Sequence, residues 1–211
     1  PVVSGNVSLY NETGQQPIFP TPMIGCVGVL DDVQGRMGLA WSEGDEIWLL
    51  GGTEPTLGGS DYLAHRHGWV AGRPPILNLE AERRLLAVLQ ELATWTAPMA
   101  AHDVSGGGLA VALAEMALAG NVGAVVDALP AGQRLDATWF GESSGRVIVA
   151  AQPSLRDRVR EICERWQTPV RTIGRAVGTA LLLAGARPVS LDDLRQASER
   201  ALVVGIEAGM A

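Results

Sequence analysis

Three residues near the start of the chain have the chemistry to bind a nucleotide and a metal ion. Gly5, Asn6 and Ser8 follow two valines within a short polar turn. A glycine lets the backbone approach a phosphate closely, and an amide oxygen can complete the ligand shell of Mg²⁺. The same composition is typical of a turn whose Asn and Ser side chains bond to their own backbone, so the pattern alone leaves both interpretations open.

A second polar segment, residues 101–109, leads from a predicted strand into a glycine-rich helix start. His102, Asp103 and Ser105 precede the glycines 106–108. The first N–H groups of a helix lack partners within the helix and favour anions. The segment therefore predicts either an anion site or a tight turn in which Asp103 or Ser105 caps the helix.

A third polar segment precedes another predicted strand. Glu142, Ser143 and Ser144 lie in it, and Arg146 ends it. The three polar residues could face a cleft. The alternative is a surface loop closed by a Glu142–Arg146 ion pair, since such pairs are common and weak at protein surfaces.

Composition excludes several classes of function. The net charge of the 211 residues is −7, which argues against a nucleic-acid or anionic-membrane partner. All 16 basic residues are arginine, so the Gly-Lys-Ser/Thr phosphate loop is absent and any ATP site must be built differently. No apolar run approaches 20 residues, and no membrane-spanning segment is predicted.

The two cysteines are far apart in sequence. Cys26 and Cys163 lie in largely apolar surroundings, and we expect buried free thiols, as is typical of the reducing cytoplasm, with a disulfide as the less favoured alternative. Their spacing does not resemble a zinc site.

Hydrophobic periodicity and capping residues divide most of the chain into strands and helices. Strands are predicted at 24–30, 46–50, 99–104, 123–126, 146–151, 170–173 and 180–183. Helices are predicted to start near Ser60, Asn78, Gly108, Ser154 and Ser190. The order predicts an α+β fold, with helices packed on a mixed β-sheet.

Five segments together resemble the synthetase subunit of the phosphoribosylformylglycinamidine synthase family, also called formylglycinamide ribonucleotide amidotransferase. They occur in the family's order and extend over nearly the whole chain. The segments are SGNVSLYNE at 4–12, PTPMIGCVGVLDDV at 20–33, LLGGT with LGGSDYL within 49–63, AHDVSGGGLAVALAEMA at 101–117 and FGESSGRVIV at 140–149.

The resemblance implies a domain organisation. The family is similar to the aminoimidazole ribonucleotide synthetases, and its subunit resembles a duplicated molecule. Residues 1–22 would be the tail of the second ATP- and magnesium-binding domain, and residues 23–211 an aminoimidazole ribonucleotide synthetase-like C-terminal domain. Because the chain opens at Pro1 and lacks the family's catalytic histidine, we expect a fragment that has no synthetase activity alone.

The resemblance also implies a reaction, cofactors and partners. The family uses ATP, Mg²⁺ and glutamine-derived ammonia to convert formylglycinamide ribonucleotide into the amidine in purine biosynthesis. Carried over by position, Gly5 would contact ATP, Asn6 would bind Mg²⁺ and Ser8 would contact substrate. The expected partners are the rest of the synthetase chain, a glutaminase subunit and a small adaptor subunit.

Glu142, Ser143 and Ser144 resemble a substrate-binding triplet in the family's first half. They are assigned here to substrate binding, with an inactive pseudo-site as the alternative for this second copy. The family usually has Asp where this chain has Gly106. Two other functions stay open: a structural domain that docks partner subunits, and a related aminoimidazole ribonucleotide synthetase, against which the run Ser-Leu-Tyr-Asn-Glu at 8–12 argues.

Overall fold

The computed structural model describes residues 1–7, 9–33, 36–52, 54–127 and 134–209, with side chains to residue 200. The chain divides into two compact units, Pro1–Val33 and Gln34–Ala211.

The first unit contains one short hairpin. Strands β1 (Glu12–Thr13) and β2 (Gln16–Pro17) pair antiparallel. The prediction of a strand at 24–30 is wrong, because these residues adopt no regular structure. Glycines 25 and 28 interrupt the run and weaken any strand, and Val27 is fully exposed. Cys26 is exposed as well, contrary to the prediction of a buried thiol.

The second unit contains seven strands and six helices among the described residues. The strands are β3 (Glu46–Leu50), β4 (Met99–Asp103), β5 (Ala124–Val126), β6 (Val147–Ala151), β7 (Val170–Ala176), β8 (Ala180–Leu183) and β9 (Val189–Ser190). The helices are α1 (Asp61–His67), α2 (Leu79–Leu92), α3 (Gly108–Gly120), α4 (Leu135–Phe140), α5 (Arg156–Arg165) and α6 (Leu191–Gly209).

The strands form one mixed sheet in the order β4-β6-β3-β7-β5-β8-β9. Neighbouring strands are antiparallel except β5 and β8, which are parallel. Strand β3 pairs with β6 on one side and with β7 on the other. The α+β fold with helices on a mixed sheet is therefore confirmed.

Both faces of the sheet are covered by helices. Because side chains alternate along a strand, Ile47 of β3 joins a core with Leu113 of α3, whereas Trp48 joins a second core with Leu92 of α2 and Val159 of α5. All five of these apolar side chains are almost completely excluded from solvent. The sheet is thus a rigid support for the loops at its edges.

Side-chain caps begin three of the helices as predicted. Ser60 Oγ accepts the N–H of Leu63 at 3.4 Å, Asn78 Oδ1 accepts that of Ala81 at 3.1 Å, and Ser190 Oγ accepts that of Asp193 at 3.1 Å. Such caps satisfy N–H groups that have no partner within the helix.

Two other predicted caps are wrong. Ser154 lies inside a 3-10 turn that precedes α5, whose N-cap is Leu155. Neither Asp103 nor Ser105 caps α3, because the turn continues to Gly107 before the helix begins. No helix was predicted at Leu135–Phe140, where α4 forms.

Candidate functional site: the groove beside the 141–146 loop

A groove of about 550 Å³ lies beside the loop that joins α4 to β6. One wall is formed by residues 82–89 of α2, and the other consists of the turn after β4 and the loop itself. The groove is lined by Glu82, Leu85, Leu86, Leu89, Asp103, Val104, Ser105, Gly106, Glu142, Ser144, Gly145, Arg146 and Val147.

Glu142 joins the starts of two helices. Its Oε1 accepts the backbone N–H of Asp61, the first residue of α1, at 2.8 Å, and that of Gly107, the N-cap of α3, at 2.9 Å. Helix N-termini favour negative charge. The Glu142 carboxylate therefore occupies the start of α3, where the sequence predicts that a bound anion could lie.

Arg146 does not pair with Glu142, and that predicted ion pair is wrong. The guanidinium group is 5% exposed and donates to the carbonyl oxygens of Gly141 at 2.6 Å and Ser143 at 3.2 Å. Burial lowers the pKa of Arg146 to about 10, so the group remains charged at neutral pH. It fixes the backbone of its own loop.

Ser143 is buried behind the groove. Its hydroxyl accepts the N–H of Thr56 at 3.1 Å and donates to the carbonyl oxygen of Glu54 at 2.6 Å. Of the predicted substrate triplet, Glu142 and Ser144 line the groove and Ser143 ties its loop to the segment before α1. Their substrate-binding role stays a prediction.

The turn between β4 and α3 depends on glycine. Gly107 and Gly108 have φ angles of +76° and +71°, in the left-handed region that favours glycine. A Cβ at Gly106 would lie 3.3 Å from Oδ2 of Asp61. An aspartate at position 106, as in the family pattern, would place a second carboxylate close to Asp61, and like charges at that distance repel.

His102 connects β4 to α3 rather than facing the groove. Its Nε2 lies 2.8 Å from Oε2 of Glu115, and its Nδ1 lies 3.2 Å from Oδ1 of Asp103. The geometry explains a structural role for this histidine.

Gly5 and Asn6 lie in the first unit and are exposed. Among the described residues, no atom beyond those of the adjacent residues comes within 4 Å of a Cβ built on Gly5, so the backbone there is open. Ser8 lies outside the described residues. The assignments of these three residues to ATP, magnesium and substrate remain predictions.

Sequence reasoning missed the contribution of residues 54–61. This segment supplies the carbonyl and N–H groups that bind Ser143 and one of the two N–H groups that bind Glu142. The glycines and Ser60 before α1 were a visible signal, but the partners of the neighbouring Thr56 and Asp61 lie more than 80 residues away in sequence.

The described residues contain neither a metal-binding cluster nor a membrane-spanning helix. Within the ranges set out above, no group of three or more His, Cys, Asp and Glu side chains has the arrangement to hold a metal ion. Among the described helices, none combines the length and apolarity needed to cross a membrane.

Residues 42–182 match the family model described as AIR synthase related protein, C-terminal domain. The chain belongs to this family. The matched range holds β3 to β7, most of β8 and every residue that lines the groove, so the AIR synthase related domain is the part of the chain that builds the candidate site.

Two curated relatives with high identity are both phosphoribosylformylglycinamidine synthase subunits. The chain is 46% identical over 184 residues to the phosphoribosylformylglycinamidine synthase subunit PurL of Moorella thermoacetica, covering 87% of this chain and 25% of that protein. It is 48% identical over 195 residues to the PurL of Methylocella silvestris, covering 92% of this chain and 26% of that protein. The chain thus spans about a quarter of the length of these relatives.

Solved structures share the fold. Thermotoga maritima PurL complexed with FGAR superimposes with a TM-score of 0.64 at 17% identity, covering 77% of this chain and 30% of that one. A structure of PurLQS from the same organism gives 0.62 at 18% identity, with 77% and 28% covered. At this identity the likeness establishes the AIR synthase related fold alone.

Proposed function

We propose that this chain is the C-terminal part of the synthetase subunit of a phosphoribosylformylglycinamidine synthase. The observation that carries the proposal is an identity of 42–48% to PurL proteins across 84–96% of the chain. Similarity at this level over nearly every element supports a common role better than a shared fold does.

The proposed reaction is an ATP-dependent carbon–nitrogen ligation in cytoplasmic purine biosynthesis. Formylglycinamide ribonucleotide would exchange its formamide oxygen for an amidine nitrogen from ammonia released from glutamine. ATP supplies the phosphoryl group that turns this oxygen into a leaving group. Solved relatives complexed with ATP and with FGAR are consistent with this substrate pair.

Within this chain, the turn at Gly5 and Asn6 would bind the nucleotide phosphates and their cation. Backbone at Gly5 is open, and the amide oxygen of Asn6 is a neutral ligand of the kind that Mg²⁺ accepts beside phosphate oxygens. Ser8 would contact the substrate. The acidic ligands and the catalytic histidine would come from upstream domains.

The proposed partners are the remainder of the synthetase chain, a glutaminase subunit and a small adaptor subunit. The solved assembly titled PurLQS is the relative that motivates the two separate subunits.

A structural role for the groove is the second candidate. Glu142 and Ser143 are engaged in hydrogen bonds that hold the domain together. In this alternative the groove is a pseudo-site that shapes the subunit and leaves catalysis to the other half of the molecule.

Replacing Asn6 in the full-length subunit tests the proposal. Asn6→Ala should lower the rate of amidine formation by about 10- to 100-fold, as losses around metal sites commonly do, and should raise the Mg²⁺ concentration needed for half-maximal rate. Gln15→Ala, an exposed amide in the adjacent hairpin turn, is the matched control and should leave both unchanged.

An Asn6→Ala enzyme with unaltered rate and Mg²⁺ dependence would favour the structural role. A second measurement uses the 211-residue chain alone, which should show no amidine formation from ATP, substrate and ammonia. Turnover above background would contradict the fragment interpretation.

A further inference from the structure

A second cavity, of about 210 Å³, lies at the start of α2 and has no part in the proposed function. Its walls combine a helix N-terminus, glycine backbone and the turn after α5. It is lined by Gly51, Gly52, Asn78, Glu80, Ala81, Arg84, Gly145, Gln167, Thr168 and Pro169.

The helix start gives this cavity a positive end. Helix α2 has 14 residues, and Asn78 Oδ1 satisfies the N–H of Ala81, whereas N–H groups at the very start of a helix have no intrahelical acceptor. The aligned peptide dipoles place partial positive charge there.

Arg84 adds a full positive charge to the wall. Its Nε donates to Oε1 of Glu80 at 2.9 Å, and a guanidinium group has five N–H donors in all. Glu80 brings a negative charge to the rim, but it is paired with both Arg83 and Arg84. The charges of Arg84 and Glu80 in the wall balance, and Arg83, which pairs with Glu80 from outside the cavity, gives the group of three side chains one net positive charge.

Thr168 is the independent sign of a missing ligand. The residue is 7% exposed, and its Oγ1 is the buried side-chain oxygen in the described part of the chain that lacks a hydrogen-bond partner. Its position is fixed, because its backbone N–H donates to the carbonyl oxygen of Cys163 at 2.8 Å. Buried hydroxyls are nearly always bonded.

The glycine pair that ends β3 brings backbone into the wall. A Cβ on Gly51 would lie 1.8 Å from the carbonyl oxygen of Gly145, and one on Gly52 would lie 2.8 Å from Cγ of Pro169. Any side chain at these positions would push the end of β3 away from Gly145 or from Pro169. The pair Gly51 and Gly52, to which the proposed function gives no role, thus keeps this cavity closed on one side.

We propose that this cavity binds a small oxyanion of phosphate size, held by the start of α2, the Arg84 guanidinium group and the Thr168 hydroxyl group. The volume equals several water molecules at about 30 Å³ each. It is below the range of about 300–1,000 Å³ typical of pockets for larger ligands. The anion is either inorganic phosphate or the phosphate group of a small phosphomonoester.

Calorimetric titration of the 211-residue chain with inorganic phosphate tests the site, with sodium chloride at matched ionic strength as the blank. Thr168→Val keeps the shape and removes the hydroxyl group, and Arg84→Gln removes the charge. Each should weaken phosphate binding by about tenfold, the usual effect of one lost charge-assisted hydrogen bond.

Arg83→Gln is the matched control. Arg83 makes the same ion pair with Glu80 but does not line the cavity, so its loss should leave the affinity for phosphate within about twofold, as expected for an exposed pair. A titration with ribose 5-phosphate separates the two sources, because tighter binding than inorganic phosphate assigns a phosphomonoester.

Three results would overturn the proposal: heat from phosphate no greater than from chloride, equal weakening by Arg83→Gln and Arg84→Gln, or undiminished binding in Thr168→Val. Should Thr168→Val fail to fold, the comparison of Arg84→Gln with Arg83→Gln still decides. These outcomes are independent of amidine formation, so failure here leaves the proposed function intact.

Discussion

Glu142 places a full side-chain charge where helix starts more often have a hydroxyl or an amide group. One oxygen bonds to the first turns of α1 and α3, so a single carboxylate holds two helices in register with the loop. Removing it leaves two N–H groups without their acceptor.

We predict that Glu142→Ala lowers the free energy of unfolding by about 1–3 kcal/mol, the range for an unsatisfied polar group. Glu142→Gln should lose less stability, because its amide oxygen can still accept hydrogen bonds from the two N–H groups. Urea denaturation measures both. Glu161→Ala, which removes an exposed partner of Arg165, is the control and should change stability by less than about 0.5 kcal/mol; equal losses at 142 and 161 would contradict the capping role.

Ser143→Ala should also destabilise, by about 1–3 kcal/mol, because it leaves the Thr56 N–H and the Glu54 carbonyl group without their partner. Ser144→Ala should lose less stability than Ser143→Ala, since the Ser144 side chain is exposed. Thermal unfolding of the two variants compares them. A larger loss at Ser144 would be incompatible with the buried bonds described for Ser143.

At this scale the sequence identifies polar positions but not their partners. The caps at Ser60, Asn78 and Ser190 are local, and each was predicted because donor and acceptor are three residues apart. The partners of Glu142 lie 35 and 81 residues away. Only the folded sheet and helices bring Glu142 to these N–H groups. The predicted ion pair with Arg146 was wrong because it considered only residues close in sequence.

Among the elements, β3 and α5 are joined by a buried charge. Glu46 is 2% exposed and accepts from Arg156 at 2.9 Å, from Thr172 at 2.8 Å and from Trp48 at 2.9 Å. Burial by itself raises the pKa of Glu46, but the hydrogen bonds, chiefly from Arg156, outweigh it and lower the pKa below its ordinary value.

A pH dependence follows from this lowered pKa. The unfolded state takes up a proton at Glu46 near the ordinary value of 4.5, whereas the folded state takes it up only at lower pH. The free energy of unfolding contributed by Glu46 is therefore full above that value and is lost as pH falls through the folded pKa.

Denaturation of Glu46→Gln between pH 7 and pH 3 tests the sign. The variant should lose less stability on acidification than the unaltered chain. Asp45 contributes the opposite slope, because burial raises its pKa, and subtracting the two curves isolates Glu46. Parallel curves would show that Glu46 titrates alike in both states.

Element prediction succeeded where the pattern is strongly periodic and failed where tertiary context decides. Helix α2 was evident from its cap and from Leu85, Leu89 and Leu92. Residues 24–30 are equally apolar, yet no strand forms there, because a strand needs a hydrogen-bonding neighbour that composition alone does not supply.

For the whole molecule, the two thiols report on different parts of the chain. Cys26 is exposed, and Cys163 is buried in the core between the sheet and α2 with α5. Burial raises the pKa of the Cys163 thiol to about 11, so little reactive thiolate is present near neutral pH.

We predict that one thiol per chain reacts with a disulfide reagent under native conditions and that the second reacts only on unfolding. Cys26→Ser should abolish the fast phase, and Cys163→Ala should abolish the slow one. Absorbance of the released thiol follows both. Rapid native labelling at position 163 would be inconsistent with the described core.

The order of the sheet has a consequence for synthesis of the protein. Trp48 of β3 pairs opposite Val149 of β6 and Thr172 of β7. With ribosomes adding about 5–20 residues per second, β3 waits roughly 5–25 s after it is made before both neighbours exist. During that interval the nascent chain displays the apolar side chains Ile47, Trp48 and Leu50, and a chaperone at the ribosomal exit has that strand as an early target.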